Sequence, residues 1–398
     1  MTLVRLLSCL LIAILFGGIP ANACSWDYLI WQVLSKGADP LYRFTKNGKA
    51  GYIDQSGKVI VKPTLPFYGN YGGEFRDGLL LNGMASGPYL NSVGKTALDT
   101  GLEHNWEFSE GLAAAMRSGE NKWGYIDKTG KFVIEPNFES YPSGYVGSFS
   151  EGLAMVRVGA KTGFIGRNGE FVIAPQFAFA ADFNEGLAKV AVSGPCRYWD
   201  PDSPCPGGDV YGSNDDKTDY PACRFAFVDK SGKTLAEQTF EDARDFSEGL
   251  AAVQKSGKWG FIDKQGKLVI PYQFDRAFSF SDGLARVGKD KDGKWSFVWG
   301  YIDKSGRLSI PYQFEMAEKF SDGLTPVGTF DDKSKSWGNY YYVNKQGVRA
   351  FPGTFAEASH YYKGIAHVML SRSQTKRVFA YIDVSGRQIF RYKVTEDN

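Results

Sequence analysis

The sequence predicts an all-β fold built from tandem repeats, and three observations carry that prediction. A block of the form Trp-Gly-aromatic-Ile-Asp recurs along the chain, a second block of the form Phe-x-acid-Gly-Leu recurs in step with it, and stretches of helical periodicity are hard to find. Aligned on the apolar residue at the centre of the first block, the copies fall at Ile53, Leu90, Ile126, Ile165, Val228, Ile262, Ile302, Val343 and Ile382. Their spacing is about forty residues, except between Ile165 and Val228, where extra sequence intervenes. The second block starts at Phe75, Phe108, Phe149, Phe183, Phe246, Phe280 and Phe320, with a worn copy at Tyr362-Lys363-Gly364-Ile365.

Each block dictates a local shape. In Tyr125-Ile126-Asp127-Lys128-Thr129-Gly130-Lys131 an Asp opens and a Gly closes a tight turn, and the flanking aromatic and β-branched residues suit the two strands of a hairpin. The Gly-Leu-Ala-x-Val stretch alternates large and small side chains and should add a third strand. The second copy, Gly87-Pro88-Tyr89-Leu90-Asn91-Ser92-Val93-Gly94-Lys95, lacks the Trp-Gly pair and is placed mainly by spacing. One such unit cannot bury enough apolar surface to fold alone, so about nine copies must share a continuous core. Two arrangements do this: an open solenoid or superhelix, which a unit of about three strands favours, and a closed β-propeller as the alternative. In an open array the aromatic segment of residues 24–40, including Trp26 to Leu34, would cap the N-terminus, and the last unit, ending in Gln388-Ile389-Phe390, the C-terminus.

The ends and the cysteines point to export. Arg5 precedes an apolar stretch from Leu6 to Ile19, and Ala21-Asn22-Ala23 fits a cleavage site, so residues 1–23 read as a signal peptide. The array then occupies 41–398, and after cleavage no segment has transmembrane length. The mature chain would keep Cys24, Cys196, Cys205 and Cys223, an even number suited to disulfides in an oxidising compartment. Cys196 with Cys205 and Cys24 with Cys223 is one of three pairings. The alternative is a lipoprotein anchored through Cys24, although Ala21 stands where such signals usually carry Leu. With 46 Lys+Arg against 44 Asp+Glu and no long run of one sign, the chain lacks the basic footprint of a nucleic-acid binder.

Chemistry is scarce in this pattern. The acids Asp54, Asp127, Asp229, Asp263, Asp303 and Asp383 recur in one local frame, as do Glu110, Glu151, Glu185, Glu248, Asp282 and Asp322, which marks them as structural rather than catalytic. Three histidines, His104, His360 and His367, have no metal-ligand spacing, and no nucleophile, phosphate-loop or zinc motif appears. We therefore expect no enzyme, cofactor or metal. Trp123, Trp259, Trp299 and Trp337 are the binding candidates: stacked units would align them as a platform for sugar rings or peptide aromatics, or bury them as inter-repeat packing. The adjoining Gly, which permits close backbone approach, favours packing. The segment 194–223 is the one non-periodic element, with three cysteines, five prolines and a scatter of aspartates, and is where specific function would concentrate.

The runs Lys122-Trp123-Gly124-Tyr125-Ile126-Asp127-Lys128-Thr129-Gly130-Lys131, Lys258-Trp259-Gly260-Phe261-Ile262-Asp263-Lys264-Gln265-Gly266-Lys267 and Trp299-Gly300-Tyr301-Ile302-Asp303 resemble the bacterial WG (KWG) repeat family, from Leu41 to Phe390. Departures stand at Gly166 in place of the turn Asp, at Ala226 in place of the Gly, and in the second copy. The resemblance implies a binding or scaffolding module with no shared catalytic residues. The expectation is an exported interaction protein of the cell envelope with a protein partner; the alternative is a carbohydrate or peptidoglycan binder using exposed aromatics.

Overall fold

A computed structural model describes residues 41–66, 75–82, 87–140, 146–193, 223–236, 238–291, 297–331, 336–373 and 375–395. Those residues form nine antiparallel sheets of three or four strands, one per repeat. Unit 6 shows the full plan: a short inner strand Asp242–Ala243, then Leu250–Lys255, Lys258–Asp263 and the outer strand Leu268–Phe274. The expected three strands are joined by a fourth, short inner one in units 3, 6, 7 and 9, which begins with an x-Ala pair in units 6, 7 and 9 and is His104–Asn105 in unit 3. Every alignment residue from Ile53 to Ile382 is buried, including Leu90 of the Trp-less second copy, whose sheet is Leu80–Leu81, Tyr89–Leu90 and Thr96–Leu98.

The turn between third and outer strands follows from its Asp. In unit 3 the Asp127 carboxylate accepts hydrogen bonds from Thr129 N, Thr129 Oγ1 and Lys131 N, which replaces water around a half-buried turn. Asn91 and Asn344 make the same backbone bonds from an amide oxygen. At Gly166 the main-chain frame persists without the side chain, through Gly166 N to Glu170 O and Gly169 N to Gly166 O. The outer strand then bulges: Trp259 pairs with Phe274 but Phe261 with Ile270, so extra residues crowd opposite Gly260. Prolines at 136, 175, 271 and 311 sit in these bulges, with backbone atoms packed over Gly124, Gly163, Gly260 and Gly300 of the third strand.

Neighbouring sheets join through periodic contacts. The aromatic residue of the Trp-Gly-aromatic block packs edge-on or tilted against a ring of the next unit: Tyr89 on Phe108, Tyr125 on Phe149, Phe164 on Phe183, Phe227 on Phe246, Phe261 on Phe280, Tyr301 on Phe320 and Tyr342 on Tyr361. The last unit meets the first through a different ring, Tyr42 on the strand Tyr42–Lys46, whose centroid lies 5.7 Å from that of Tyr381. Gly57 of unit 1 lies against the Ile389 carbonyl of unit 9, as Gly306 of unit 7 lies against Ile270 of unit 6. Tyr42, Phe44, Ile53, Ile365 and Tyr381 share one core cluster, with Ile389, Phe390 and Tyr392 packed on it.

The all-β repeat architecture thus stands, but the preferred open stack does not: the array closes on itself, which is the propeller alternative. The physical reason is that the last unit is not a polar cap. Its outer strand Gln388–Thr395 presents Ile389, Phe390 and Tyr392 to unit 1, and an open end would leave them in water. The expected N-terminal cap at 24–40 lies outside the described residues.

Candidate functional site

The periodic acids hold neighbouring blades together. In Phe246-Ser247-Glu248-Gly249-Leu250 both central residues have positive φ, 54° at Glu248 and 88° at Gly249, closing a two-residue turn between Ser247 and Leu250. A non-glycine residue pays about 1–2 kcal/mol for that conformation, and the carboxylate offsets it by capping the next blade. Seven consecutive boundaries repeat the arrangement: Gly111 N donates to Asp77, Gly152 N to Glu110, Gly186 N to Glu151, Gly249 N to Glu185, Gly283 N to Glu248, Gly323 N to Asp282 and Gly364 N to Asp322. A cation from the next blade's turn pairs with the acid, as Lys304 does with Glu248 at 3.1 Å and Lys264 with Glu185 at 3.0 Å. These carboxylates are therefore occupied structurally, as their periodicity implies.

The tryptophans divide. Trp259 is wholly enclosed and Trp123 nearly so, the latter stacked against His104. A ring without an open face is no platform, so both are packing residues. Trp299 is half-buried, and the Trp337 side chain lies outside the described residues. Instead of a tryptophan ladder, Trp259 and Trp299 are joined by a mixed one. The Arg244 guanidinium lies over Trp259 at 5.4 Å and over Phe278 at 5.1 Å. Arg286 lies over Phe278 at 3.9 Å and Trp299 at 4.8 Å, and Arg276 over Phe297 at 5.6 Å. Phe297 and Trp299 are themselves 5.5 Å apart.

Local structure explains why these side chains meet. Phe278 is on the inner strand Arg276–Ser281 of blade 7, Arg286 on Leu284–Asp290 and Trp299 on Phe297–Ile302. Gly288 gives Trp299 its seat, since a Cβ there would stand 2.8 Å from the indole. Each stacked guanidinium contributes about 0.5–2 kcal/mol, more as water is excluded, and Arg286 also donates through Nη1 to Ala317 O and pairs with Glu318. Nearby, buried Lys189 of blade 5 donates to Ala243 O of blade 6 at 3.1 Å. Burial holds the Asp242 carboxyl above the usual carboxylate range even with Arg244, Lys189 and Arg276 in its vicinity. The ladder escaped sequence reasoning because its arginines occupy non-periodic columns. The column that places Arg286 carries Ala114, Met155, Lys189, Ala252, Pro326 and His367 in other copies. Scanning such variable columns is the signal that would have found it.

His367 marks a second unusual spot, at the closure. It stacks on Phe379 and Tyr392, lies beside Tyr381, and its Nε2 is 2.8 Å from the Tyr392 hydroxyl. Burial, with Arg43 adding repulsion, pushes its pKa down to about 4. The unfolded chain takes up this proton near 6.5, so stability is unaffected above that pH and falls as pH drops from about 6.5 to about 4. We expect a loss of about 2–3 kcal/mol over that window. Denaturant titrations at stepwise pH should show it, and His367→Phe should flatten the profile; an unchanged slope in that variant would remove His367 as the cause.

Of the cysteines, Cys223 packs at the edge of the blade 5–6 core, while Cys24, Cys196, Cys205 and the rest of the insertion lie outside the described residues. Among the described residues no group of His, Cys, Asp or Glu could hold a metal ion, and no helix is long and apolar enough to cross a membrane.

Comparison with known proteins places this geometry. The family described as WG containing repeat matches residues 51–79, 123–161, 163–194, 225–259, 259–295 and 299–329. No curated protein matches in sequence. Among solved structures, a crystal structure of a eukaryotic initiation factor is similar over 90% of this chain and 97% of its own, with a TM-score of 0.59 at 9% identity, a likeness of fold alone. The dihydro-heme d1 dehydrogenase NirN in complex with DHE covers 90% of this chain and 76% of its own, at TM-score 0.42 and 11% identity. Apo AztD from Citrobacter koseri covers 90% and 98%, at 0.35 and 11%.

Proposed function

Because the chain belongs to the WG containing repeat family, a family of β repeats, we propose that it is a non-enzymatic, exported interaction scaffold of the cell envelope that holds a protein partner. The observation that carries this reading is the ladder of Arg276, Phe278, Arg286, Phe297 and Trp299, which leaves its aromatics half-buried. Trp, Phe and Arg are the residues that anchor protein interfaces, and rings held by stacking lose little freedom on binding. Export rests on the signal-like residues 1–23 and on the even cysteine set, with Cys196–Cys205 and Cys24–Cys223 as the proposed disulfides and lipidation of Cys24 as the alternative. A glycan is the second reading, favoured by Trp299 and Phe297 as partly open rings.

The test is binding of the purified mature protein to fractionated envelope proteins and to purified envelope glycans, with Trp299→Ala alongside. We expect a saturable protein partner whose binding weakens at least tenfold in Trp299→Ala. Saturable glycan binding lost in that variant would replace the protein reading with the carbohydrate one. Intact mass with and without reductant reports cleavage after Ala23, acylation of Cys24 and the number of disulfides.

A further inference from the structure

Arg244 carries a charge that the fold does not neutralise. It directly follows the inner strand Asp242–Ala243 of blade 6, and its backbone N–H donates to Ala252 O, so its neighbour across the sheet is one of the smallest side chains. Lys189 and Arg286 occupy the column of Ala252 in blades 5 and 7, while the column of Arg244 carries Ala181, Phe278 and Glu318 in blades 5, 7 and 8. The small Ala252 leaves room for the guanidinium to lie over Trp259 at 5.4 Å and over Phe278 of blade 7 at 5.1 Å. Arg286 lies over that same Phe278 ring at 3.9 Å, which brings two like charges to one aromatic.

The charges around Arg244 are already matched. Lys189 pairs with Asp245 at 4.0 Å, and Arg286 pairs with Glu318 at 3.9 Å and donates to Ala317 O. Among the described residues the Arg244 side chain makes no ion pair and no hydrogen bond, and its Nε is buried. Asp242, on the same inner strand, does not fill the gap. It is buried, its Oδ1 has no hydrogen-bond partner among the described residues either, and burial keeps its carboxyl above the usual carboxylate range. A cation with rings on its faces in place of water, and no counter-ion, is costly to maintain. It is also pre-organised for an anion arriving from outside, because its planar fork of N–H groups is set before binding.

We infer that Arg244 is the charge-recognition residue of the ladder and that it takes an Asp or Glu carboxylate of the protein partner. A single positive charge is left to satisfy, which suits a carboxylate better than a doubly charged phosphate. The half-buried rings of Phe278, Phe297 and Trp299 supply apolar contact for the segment that carries the carboxylate. This inference rests on the reading of the ladder as the partner-binding surface, and it adds the chemistry of the segment bound there.

Fluorescein-labelled hexaglutamate and hexaglutamine, titrated with the full mature protein at fixed ionic strength and followed by polarisation, test it. Hexaglutamate should bind saturably and hexaglutamine should not. Arg244→Gln should weaken hexaglutamate about tenfold or more, and Arg244→Lys, which keeps the charge without the planar fork, by less. Arg391→Gln, which removes an exposed cation on the outer strand of blade 9, should leave binding unchanged. Phenylglyoxal labelling read by mass spectrometry needs no variant: hexaglutamate should shield Arg244 and not Arg391. The inference is overturned if hexaglutamate fails to bind, if it binds Arg244→Gln as tightly as the wild type, or if Arg244 resists phenylglyoxal in the free protein. Displacement of hexaglutamate by an equal concentration of inorganic phosphate would mark a phosphate site and overturn it too. Any of these results leaves the ladder reading standing so long as Trp299→Ala still weakens the envelope partner; loss of that effect as well would remove both.

Discussion

Replacing Trp259 by Ala should cost the protein about 3–5 kcal/mol of unfolding free energy, the range for deleting a large enclosed aromatic. The ring has no exposure and lies in a cluster with Phe261, Ile270, Phe274, Phe280 and Ile302, so it spans blades 6 and 7. Its removal would also strip Arg244 of one stacking face. Trp299→Ala should cost less than half as much, because that ring is half-buried and retains an open side. Chemical denaturation of both variants decides it. Equal, small losses would mean that Trp259 faces solvent and serves as a platform after all.

Gly260→Ala should be nearly as damaging, at about 3 kcal/mol, although it adds a single carbon. A Cβ at that position would stand 2.6 Å from Ile270 O and 3.0 Å from the backbone of Pro271 and Tyr272, atoms that cannot swing aside. The bulge of the outer strand pushes that carbonyl across the third strand, and the Trp-Gly pair exists to admit it. Blade 5 provides the internal control. There the equivalent residue is Ala226, and the chain after the turn carries no Pro and forms only isolated bridges, Val228 with Thr234 and Phe225 with Phe240. Thermal melts should therefore show a large drop for Gly260→Ala and a change within about 1 kcal/mol for Ala226→Gly. A neutral Gly260→Ala would contradict the crowding argument.

The repeat signal made most of the fold legible. Turn acids, glycines and alternating apolar residues each act within one unit, so a single copy displays their logic, and spacing alone located the sheet around Leu90. Closure was not legible in the same way. It depends on how the small rotation between neighbours accumulates over the array, and no side chain encodes that sum. The clue lay in the worn last copy, where Lys363 and Gln388-Ile389-Phe390 looked like decay and are the edges of an interface. The candidate site was hidden for a related reason. Periodicity identifies Trp259 and Trp299 but says nothing of Arg244, Phe278 and Arg286, which occupy columns that vary from copy to copy and meet only between blades. The acids were read rightly as structural, yet their task of capping a neighbouring blade's Gly N–H required two adjacent copies in space.

The central claim is the closed ring, and a distance across its closure tests it most directly. Spin labels placed at Gln55 and Lys363, where Gln55 Nε2 lies 2.6 Å from Lys363 O, should report a single short distance by pulsed dipolar spectroscopy, at the near limit of the method. A distribution centred far beyond the width of one blade, with no short component, would show that the first and last blades stand apart and that the array is open.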